Sequence, residues 1–187
     1  MYFNEELIPS LEKELEKNSK MLIKVFPFDV TEHVCREIKD LPEFRCCVVS
    51  IDDEGFKPTD IHEGGSVLRI FRMNFPDIDS CDAPHLMKYA ATPEDLSGLK
   101  RYIDEIKDEC NFLIVHCAAG VSRSPAVASV IEEYLGFPDT VWSSGDYQPN
   151  RHVYTLALKE FGMTKTEEEI DKNYDILERN RKNIEEE

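Results

Sequence analysis

Apolar and polar residues alternate along this chain in two repeating patterns. Four short apolar runs, rich in β-branched and aromatic residues and bounded by polar or Gly/Pro segments, predict β-strands: Met21–Phe28, Arg45–Ile51, Val67–Phe75 and Phe112–Val115. Other segments carry apolar residues at a spacing of three to four, which is the period of a helix with one buried face.

The helical pattern recurs after almost every strand. We predict helices at residues 5–18, in a short segment capped by Thr31, from the capping box Thr92–Asp95 onward, at Pro125–Leu135 and at Arg151–Phe161. Gly136 and Gly162 follow the last two helices and predict where they end. The alternation predicts an α/β fold, with a mostly parallel central sheet flanked by helices on both faces and helical additions at both termini.

The length of 187 residues suits one domain with terminal additions. We predict a helical extension at 1–20, a core domain at 21–163 and a charged helix at 164–187. Apolar residues of the last segment recur at near-heptad spacing, which favours a solvated helix laid partly on the domain. The alternative is a partner-binding helix that forms a homodimer together with the N-terminal helix.

Charge and cysteine usage exclude several classes of function. The chain has 22 basic and 38 acidic residues, a net charge of −16, so we expect neither nucleic acid nor an anionic membrane as a partner. Its start is acidic and no apolar run reaches about 18 residues, which predicts neither a signal peptide nor a membrane span. Its six cysteines lack metal-ligand spacing, so we expect no metal site and no cofactor.

The segment with the most specific chemistry follows the strand Phe112–Val115 and reads HCAAGVSRSP. Cys117 and Arg123 are six positions apart, separated by Ala118, Ala119, Gly120, Val121 and Ser122. A strand, a tight loop and a helix start form the geometry in which successive backbone N–H groups converge on an anion. The small residues keep side chains out of the concavity, so the segment predicts a site for a phosphate group.

The residue types at the ends of this loop predict a reaction on that phosphate. A thiolate at Cys117 can attack phosphorus, and the loop amides are expected to stabilise it. The planar guanidinium of Arg123 can bind two phosphate oxygens at once, which Lys cannot do. Ser124 can hydrogen-bond the sulfur and stabilise it as a leaving group, and we expect His116 to orient the loop by bonding backbone groups. A catalytic thiol must stay free, so we expect a reducing, cytoplasmic location.

The loop, preceded by His116 and followed by Ser124, resembles the signature of the protein tyrosine phosphatase superfamily. Pro149 and Asn150, leading into Arg151–Leu156, are similar to the Pro-Asn element of its dual-specificity members, in which Asn150 would support the loop. The order of the strands that lead to the loop resembles that of a compact bacterial branch of the dual-specificity phosphatases. The resemblance covers residues 20–162. The chain departs from larger members between Leu135 and Pro149, where an additional helix is usual. The resemblance implies a cysteine phosphatase-like fold, a phosphocysteine intermediate and no metal.

The chemistry also needs an acid that protonates the leaving oxygen, because that oxygen would otherwise leave as a strongly basic anion. In the family that this chain resembles, the acid is an Asp on a loop upstream of the cysteine. We favour Asp77, which follows the strand Val67–Phe75; Asp79 is the alternative, and Asp82 is a third candidate.

These observations predict a phosphatase that hydrolyses phosphate monoesters on proteins or small esters. Phosphotyrosine is the favoured substrate, and the sequence leaves open whether phosphoserine and phosphothreonine are substrates too. Absence of Lys between Cys117 and Arg123 argues against highly anionic phosphoinositides. One alternative is a phosphate-binding module with little turnover, if no acid reaches the loop. Another is a cysteine enzyme of the rhodanese or arsenate reductase type, although some arsenate reductases carry their loop near the N-terminus and this loop lies past mid-chain.

Overall fold

The computed structural model describes residues 6–18, 20–53, 55 and 57–185 of the chain. Its central sheet has four strands: β1 (Leu22–Pro27), β2 (Cys46–Asp52), β3 (Val67–Asn74) and β4 (Phe112–Cys117). They are all parallel and lie in the order β1-β4-β2-β3. The four predicted strands and their parallel arrangement are confirmed. The loop 118–122, which the sequence predicts to bind phosphate, follows the carboxyl end of the inner strand β4.

Seven helices surround this sheet within the described residues. They are α1 (Leu7–Lys17), α2 (Phe28–Ile38), α3 (Leu99–Ile106), α4 (Arg123–Leu135), α5 (Val141–Ser144), α6 (Arg151–Glu160) and α7 (Glu167–Glu185), with a 3₁₀ turn at Met87–Tyr89. Gly136 ends α4 in the left-handed conformation, with φ of +66°, as its position predicts. None of the helices described is both long and apolar enough to cross a membrane.

Two predicted helix starts are wrong. Thr31 does not cap α2; it lies inside the helix, and its hydroxyl donates to the carbonyl of Pro27 at 3.0 Å. Thr92 and Asp95 do bond each other, since the Thr92 hydroxyl donates to Oδ2 of Asp95 at 2.8 Å. This box closes only a turn, because Gly98 adopts φ of +87° and α3 begins after it.

Two further differences concern the segment after β4. The helix α4 begins at Arg123, two positions before Pro125, which its first turn accommodates because no hydrogen bond from that position is needed there. Between Leu135 and Pro149, where the sequence departs from larger members that usually carry an additional helix, the short helix α5 is present.

The side chains of β2 alternate between two apolar clusters on opposite faces of the sheet. Cys46 and Val48 join the residues of α1 and α2, whereas Cys47 and Val49 join those of α3, α4 and α6. Helices therefore cover both faces of the sheet, which confirms the predicted fold class.

The C-terminal helix α7 packs on the domain. Its residues Ile170 and Leu177 are buried, with 2% and 4% of their surface exposed, and belong to the cluster that contains α4 and α6. The apolar stripe read from the sequence is thus used within the chain itself, and the homodimer remains a prediction.

Candidate active site

The loop from Ala118 to Ser122 joins β4 to α4 and passes close to the end of β1. Gly120 lies at its tip with φ of +69°, and a Cβ at this position would be 2.7 Å from backbone atoms of Phe26 and Pro27. Glycine is therefore required twice, for its backbone angle and for the absence of a side chain.

The carbonyl groups of this loop are bonded to residues outside it. Ala118 accepts from the N–H of Phe28 at 3.3 Å, Val121 from Gln148 at 2.8 Å, and Ser122 from Asn150 at 3.0 Å. In the part of the chain that the structure describes, the N–H groups of residues 118–122 have no acceptor. A peptide plane holds a C=O and the N–H of the next residue on opposite sides, so the N–H groups of Ala119, Ser122 and Arg123 point away from these contacts and toward the concavity, where they form a nest of anion-binding donors.

Cys117 ends β4 at the base of this nest. Its side chain is buried, and the hydroxyl of Ser124 donates to its sulfur across 3.1 Å. Ser124 is itself fully buried in the first turn of α4. The hydrogen bond from Ser124 to the sulfur of Cys117, which the sequence predicts, is therefore present.

Arg123 is the largest fully buried charged residue near this loop, with 2% of its surface exposed. Its Nη1 donates to the carbonyl of Phe75 at 2.8 Å and forms an ion pair with Oδ1 of Asp53 at 2.7 Å. Its Nε is buried and has no hydrogen-bond partner among the described residues. A buried donor left unpaired costs roughly 1–3 kcal/mol, so this edge of the guanidinium is suited to an anionic partner.

Asp77 reaches the loop from the segment after β3. Its Oδ1 accepts from the hydroxyl of Ser122 at 2.8 Å and from Nδ2 of Asn150 at 2.8 Å. Its Oδ2 lies 3.8 Å from Nε of Arg123. Asp77 is therefore brought to the rim of the anion nest, where it forms an ion pair with Arg123.

Asp79 and Asp82 are bound elsewhere. Asp79 accepts from the backbone N–H groups of Arg151 and His152 at 3.0 Å each, so its carboxylate lies at the N-terminus of α6. Oδ2 of Asp82 accepts from the N–H of Asp79 at 2.8 Å. Both carboxylates accept hydrogen bonds from backbone N–H groups away from the anion-binding loop. Of the three carboxylates, Asp77 is the one that contacts this loop.

Asn150 joins three parts of the site. Its Oδ1 caps α6 by accepting from the N–H of Val153 at 3.0 Å, while its Nδ2 donates to Asp77. Its backbone N–H bonds the carbonyl of Ser122. One side chain thus links the acid segment, the anion loop and a helix N-terminus.

The expectation that His116 orients the loop by bonding backbone groups stays a prediction, since its ring lies near the backbone of Cys117 without a hydrogen bond of good geometry. Its ring is fully buried, and neither ring nitrogen has a hydrogen-bond partner among the described residues. Burial lowers the pKa of His116 to about 4, because the charged ring would lose its hydration. His116 is therefore a neutral core residue at neutral pH.

Two contacts of the site were missed at the level of sequence. One is Asp53, whose carboxylate pairs with Arg123; the other is the Ser122 side chain, which donates to Asp77. Asp53 follows a buried parallel strand, and the carboxyl ends of such strands share one edge of a sheet. That signal could have placed Asp53 beside Cys117, whereas the orientation of the Ser122 hydroxyl has no sequence signal.

A cavity of about 360 Å³ opens beside the loop. Its walls include the apolar side chains of Phe28 and Ile51 and the loop residue Ala118. Phe28 has 47% of its surface exposed. No group of three or more potential metal-ligating side chains occurs among the described residues, and all six cysteines are free.

No family model and no curated protein sequence matches this chain. Among solved structures, the chain is similar to Tk-PTP in its active form, at 16% identity and a TM-score of 0.38, covering 88% of this chain and 93% of the other. It is similar to a human tyrosine phosphatase-like serine/threonine/tyrosine-interacting protein (15%, 0.39, 84% and 89%) and to PTPMT1 in complex with PI(5)P (13%, 0.39, 89% and 96%). At these identities and TM-scores, the function of this chain has to be inferred from its own residues.

Proposed function

We propose that this chain is a cysteine-dependent phosphatase that hydrolyses phosphate monoesters. The observation that supports it most directly is one loop that combines five amides without an acceptor, a buried thiol and the Nε of Arg123, which has no hydrogen-bond partner among the described residues. Such donors match the non-bridging oxygens of a phosphoryl group, whose negative charge they stabilise through the transition state.

In the first step, the thiolate of Cys117 attacks phosphorus. A P–S bond forms while the ester P–O bond breaks, and Asp77 gives its proton to the departing oxygen. The amides of residues 118–122 and the guanidinium of Arg123 hold the phosphoryl oxygens.

In the second step, water attacks phosphorus and the P–S bond breaks. The carboxylate of Asp77 takes a proton from the water, which restores the acid and releases inorganic phosphate. Cys117 leaves as a thiolate, stabilised by the hydrogen bond that the Ser124 hydroxyl donates to its sulfur at 3.1 Å.

For the substrate we propose an aryl phosphate of the phosphotyrosine type. The apolar cavity beside the loop and the exposed ring of Phe28 suit an aromatic leaving group better than a short polar one. The loop segment 118–122 holds no Lys for extra phosphate groups. A reducing compartment belongs to the proposal, because the thiol has to stay free.

The alternative of a binding module without turnover depends on an acid that fails to reach the loop. Asp77 contacts both Ser122 and Arg123, which supports turnover. A persulfide or arsenate reaction at Cys117 would not need this acid.

The proposal is tested by hydrolysis of phenyl phosphate by the wild type and by Cys117→Ser. We expect turnover by the wild type and none by the variant, with vanadate inhibiting the wild type competitively. Phosphatase activity that survives in Cys117→Ser would contradict the proposal. Activity with thiosulfate or arsenate and none with phenyl phosphate would instead indicate a cysteine enzyme of the rhodanese or arsenate reductase type.

A further inference from the structure

The C-terminal helix α7 lies along residues 145–151, which we name the support loop. Arg181 donates from Nη2 to the carbonyl of Tyr147 at 2.9 Å, and the Tyr174 hydroxyl donates to the carbonyl of Pro149 at 3.0 Å. Arg151, which ends this segment as the first residue of α6, pairs with Glu167 at 2.7 Å and with Asp171 at 2.6 Å. Successive turns of α7 thus contact successive residues of the support loop.

Tyr174 is held firmly in the middle of this face. Its ring packs edge-on against Trp142 at 5.0 Å between centroids, and the guanidinium of Arg151 lies 5.5 Å from its centre. Burial, followed by the nearby negative charge of Asp79, raises the pKa of Tyr174 above its usual range. Its hydroxyl therefore stays protonated and acts as a donor throughout the neutral pH range.

The support loop carries the groups that fix the catalytic parts. The N–H of Gln148 bonds the carbonyl of Val121, and Asn150 bonds both Ser122 and Asp77. Pro149 is the residue between these two. The bond from Tyr174 to Pro149 is therefore one peptide unit away from the side chain that holds Asp77.

We propose that Tyr174 is a positioning residue for the general acid, since its hydroxyl fixes Pro149 and thereby the Asn150 side chain that orients Asp77. This inference rests on the proposed function. It gives α7 a role in the reaction, whereas a helix that only covers apolar surface would need no hydrogen bond to the support loop.

The test uses the full chain and the variant Tyr174→Phe, which removes the hydroxyl and keeps the ring. Tyr134→Phe is the matched control, because the Tyr134 hydroxyl donates at 2.7 Å to Asp104, which is not part of the site. Each protein is assayed with phenyl phosphate, whose leaving group needs protonation, and with dinitrophenyl phosphate, whose leaving group does not.

We expect Tyr174→Phe to lower kcat/KM for phenyl phosphate about fivefold, the value of one net hydrogen bond, and to leave kcat/KM for dinitrophenyl phosphate unchanged. This ratio reports P–O bond cleavage and does not include hydrolysis of the phosphocysteine, in which Asp77 also acts. In an Asp77→Asn background the same substitution should have no further effect, because the acid it positions is gone. Any effect of Tyr134→Phe on the rate should be the same for both esters.

Equal losses on both esters, or a loss that persists in the Asp77→Asn background, would show a purely structural role and overturn the inference. So would a Tyr174→Phe variant that equals the wild type on both esters. In these cases the wild type is still active and Cys117→Ser is still inactive, so the proposed function stands. A wild type inactive on both esters would instead contradict the proposed function itself.

Discussion

Nδ2 of Asn150 lies 2.8 Å from Oδ1 of Asp77, and this hydrogen bond joins segments that are 73 residues apart. The hydroxyl of Ser122 donates to the same oxygen. Oδ2 forms no hydrogen bond within the described residues and lies beside Arg123. One oxygen of the carboxylate thus sets its orientation, and the other faces the guanidinium of Arg123.

This arrangement predicts how Asp77→Asn fails. The variant keeps the shape of the side chain but has no proton to give, so kcat for phenyl phosphate should fall by a factor of about 10² to 10⁴. Cleavage of the first P–O bond of dinitrophenyl phosphate should be almost unaffected, because that leaving group is stable as an anion. Single-turnover measurements of phenol and dinitrophenol release check both expectations.

Asp79→Asn is the matched variant for this experiment. Its carboxylate caps α6, so we expect a loss of about 1 kcal/mol in the free energy of unfolding and a similar effect on both esters. If Asp79→Asn and not Asp77→Asn showed the dependence on the leaving group, the assignment of the acid would be wrong.

The loop could be predicted from sequence because its working parts are consecutive. Cys117, the amides after it and Arg123 lie within seven positions, and their relative placement follows from a strand that turns into a helix. The strands were equally predictable, since four runs of buried β-branched and aromatic residues leave few alternatives for a parallel sheet.

Contacts that depend on long-range packing could not be predicted in this way. The choice of Asp77 over Asp79 depends on Asn150 and α6, and the partner of Arg123 depends on where Asp53 emerges from β2. Helix starts failed where one residue overrode a local motif, as Gly98 does after the capping box at Thr92. The burial of His116 without a hydrogen bond is likewise a property of the packed core.

Replacing Arg123 by Lys should abolish the simultaneous binding of two phosphate oxygens by one side chain. Lys has no planar fork, so we expect kcat/KM for phenyl phosphate to fall about 10²- to 10³-fold and inhibition by vanadate to weaken in parallel. Arg69→Lys is the control, because Arg69 pairs with the exposed Glu105. Full activity in Arg123→Lys would show that the guanidinium does not hold the phosphoryl group.

Gly120→Ala and Gly136→Ala separate backbone strain from steric conflict. Both glycines have φ near +70°, at +69° and +66°, but a Cβ at Gly136 meets nothing within 4 Å. Each substitution should reduce the free energy of unfolding by roughly 1–3 kcal/mol for the strained backbone. In Gly120→Ala alone, activity and vanadate binding should be lost, because the loop has to move away from Phe26 and Pro27. Equal activities of the folded variants would argue against a rigid loop.

The buried His116 predicts a specific dependence of stability on pH. Its pKa is lowered from 6.5 to about 4 in the folded chain, so the unfolded chain binds the proton first as the pH falls. Stability from this group is fully present above pH 6.5 and is lost progressively down to about pH 4, by about 3 kcal/mol in total. Urea titrations of the wild type and His116→Asn across this range measure the difference; parallel curves would contradict the neutral, buried ring.

The most direct test of the covalent route is to trap the phosphocysteine. Asp77→Asn should form it rapidly from dinitrophenyl phosphate and hydrolyse it slowly, because the base that activates water is missing. Acid quench followed by peptide mass spectrometry should then find one phosphoryl group on Cys117. Turnover with no phosphoryl group on Cys117, or with the group on another residue, would contradict the account.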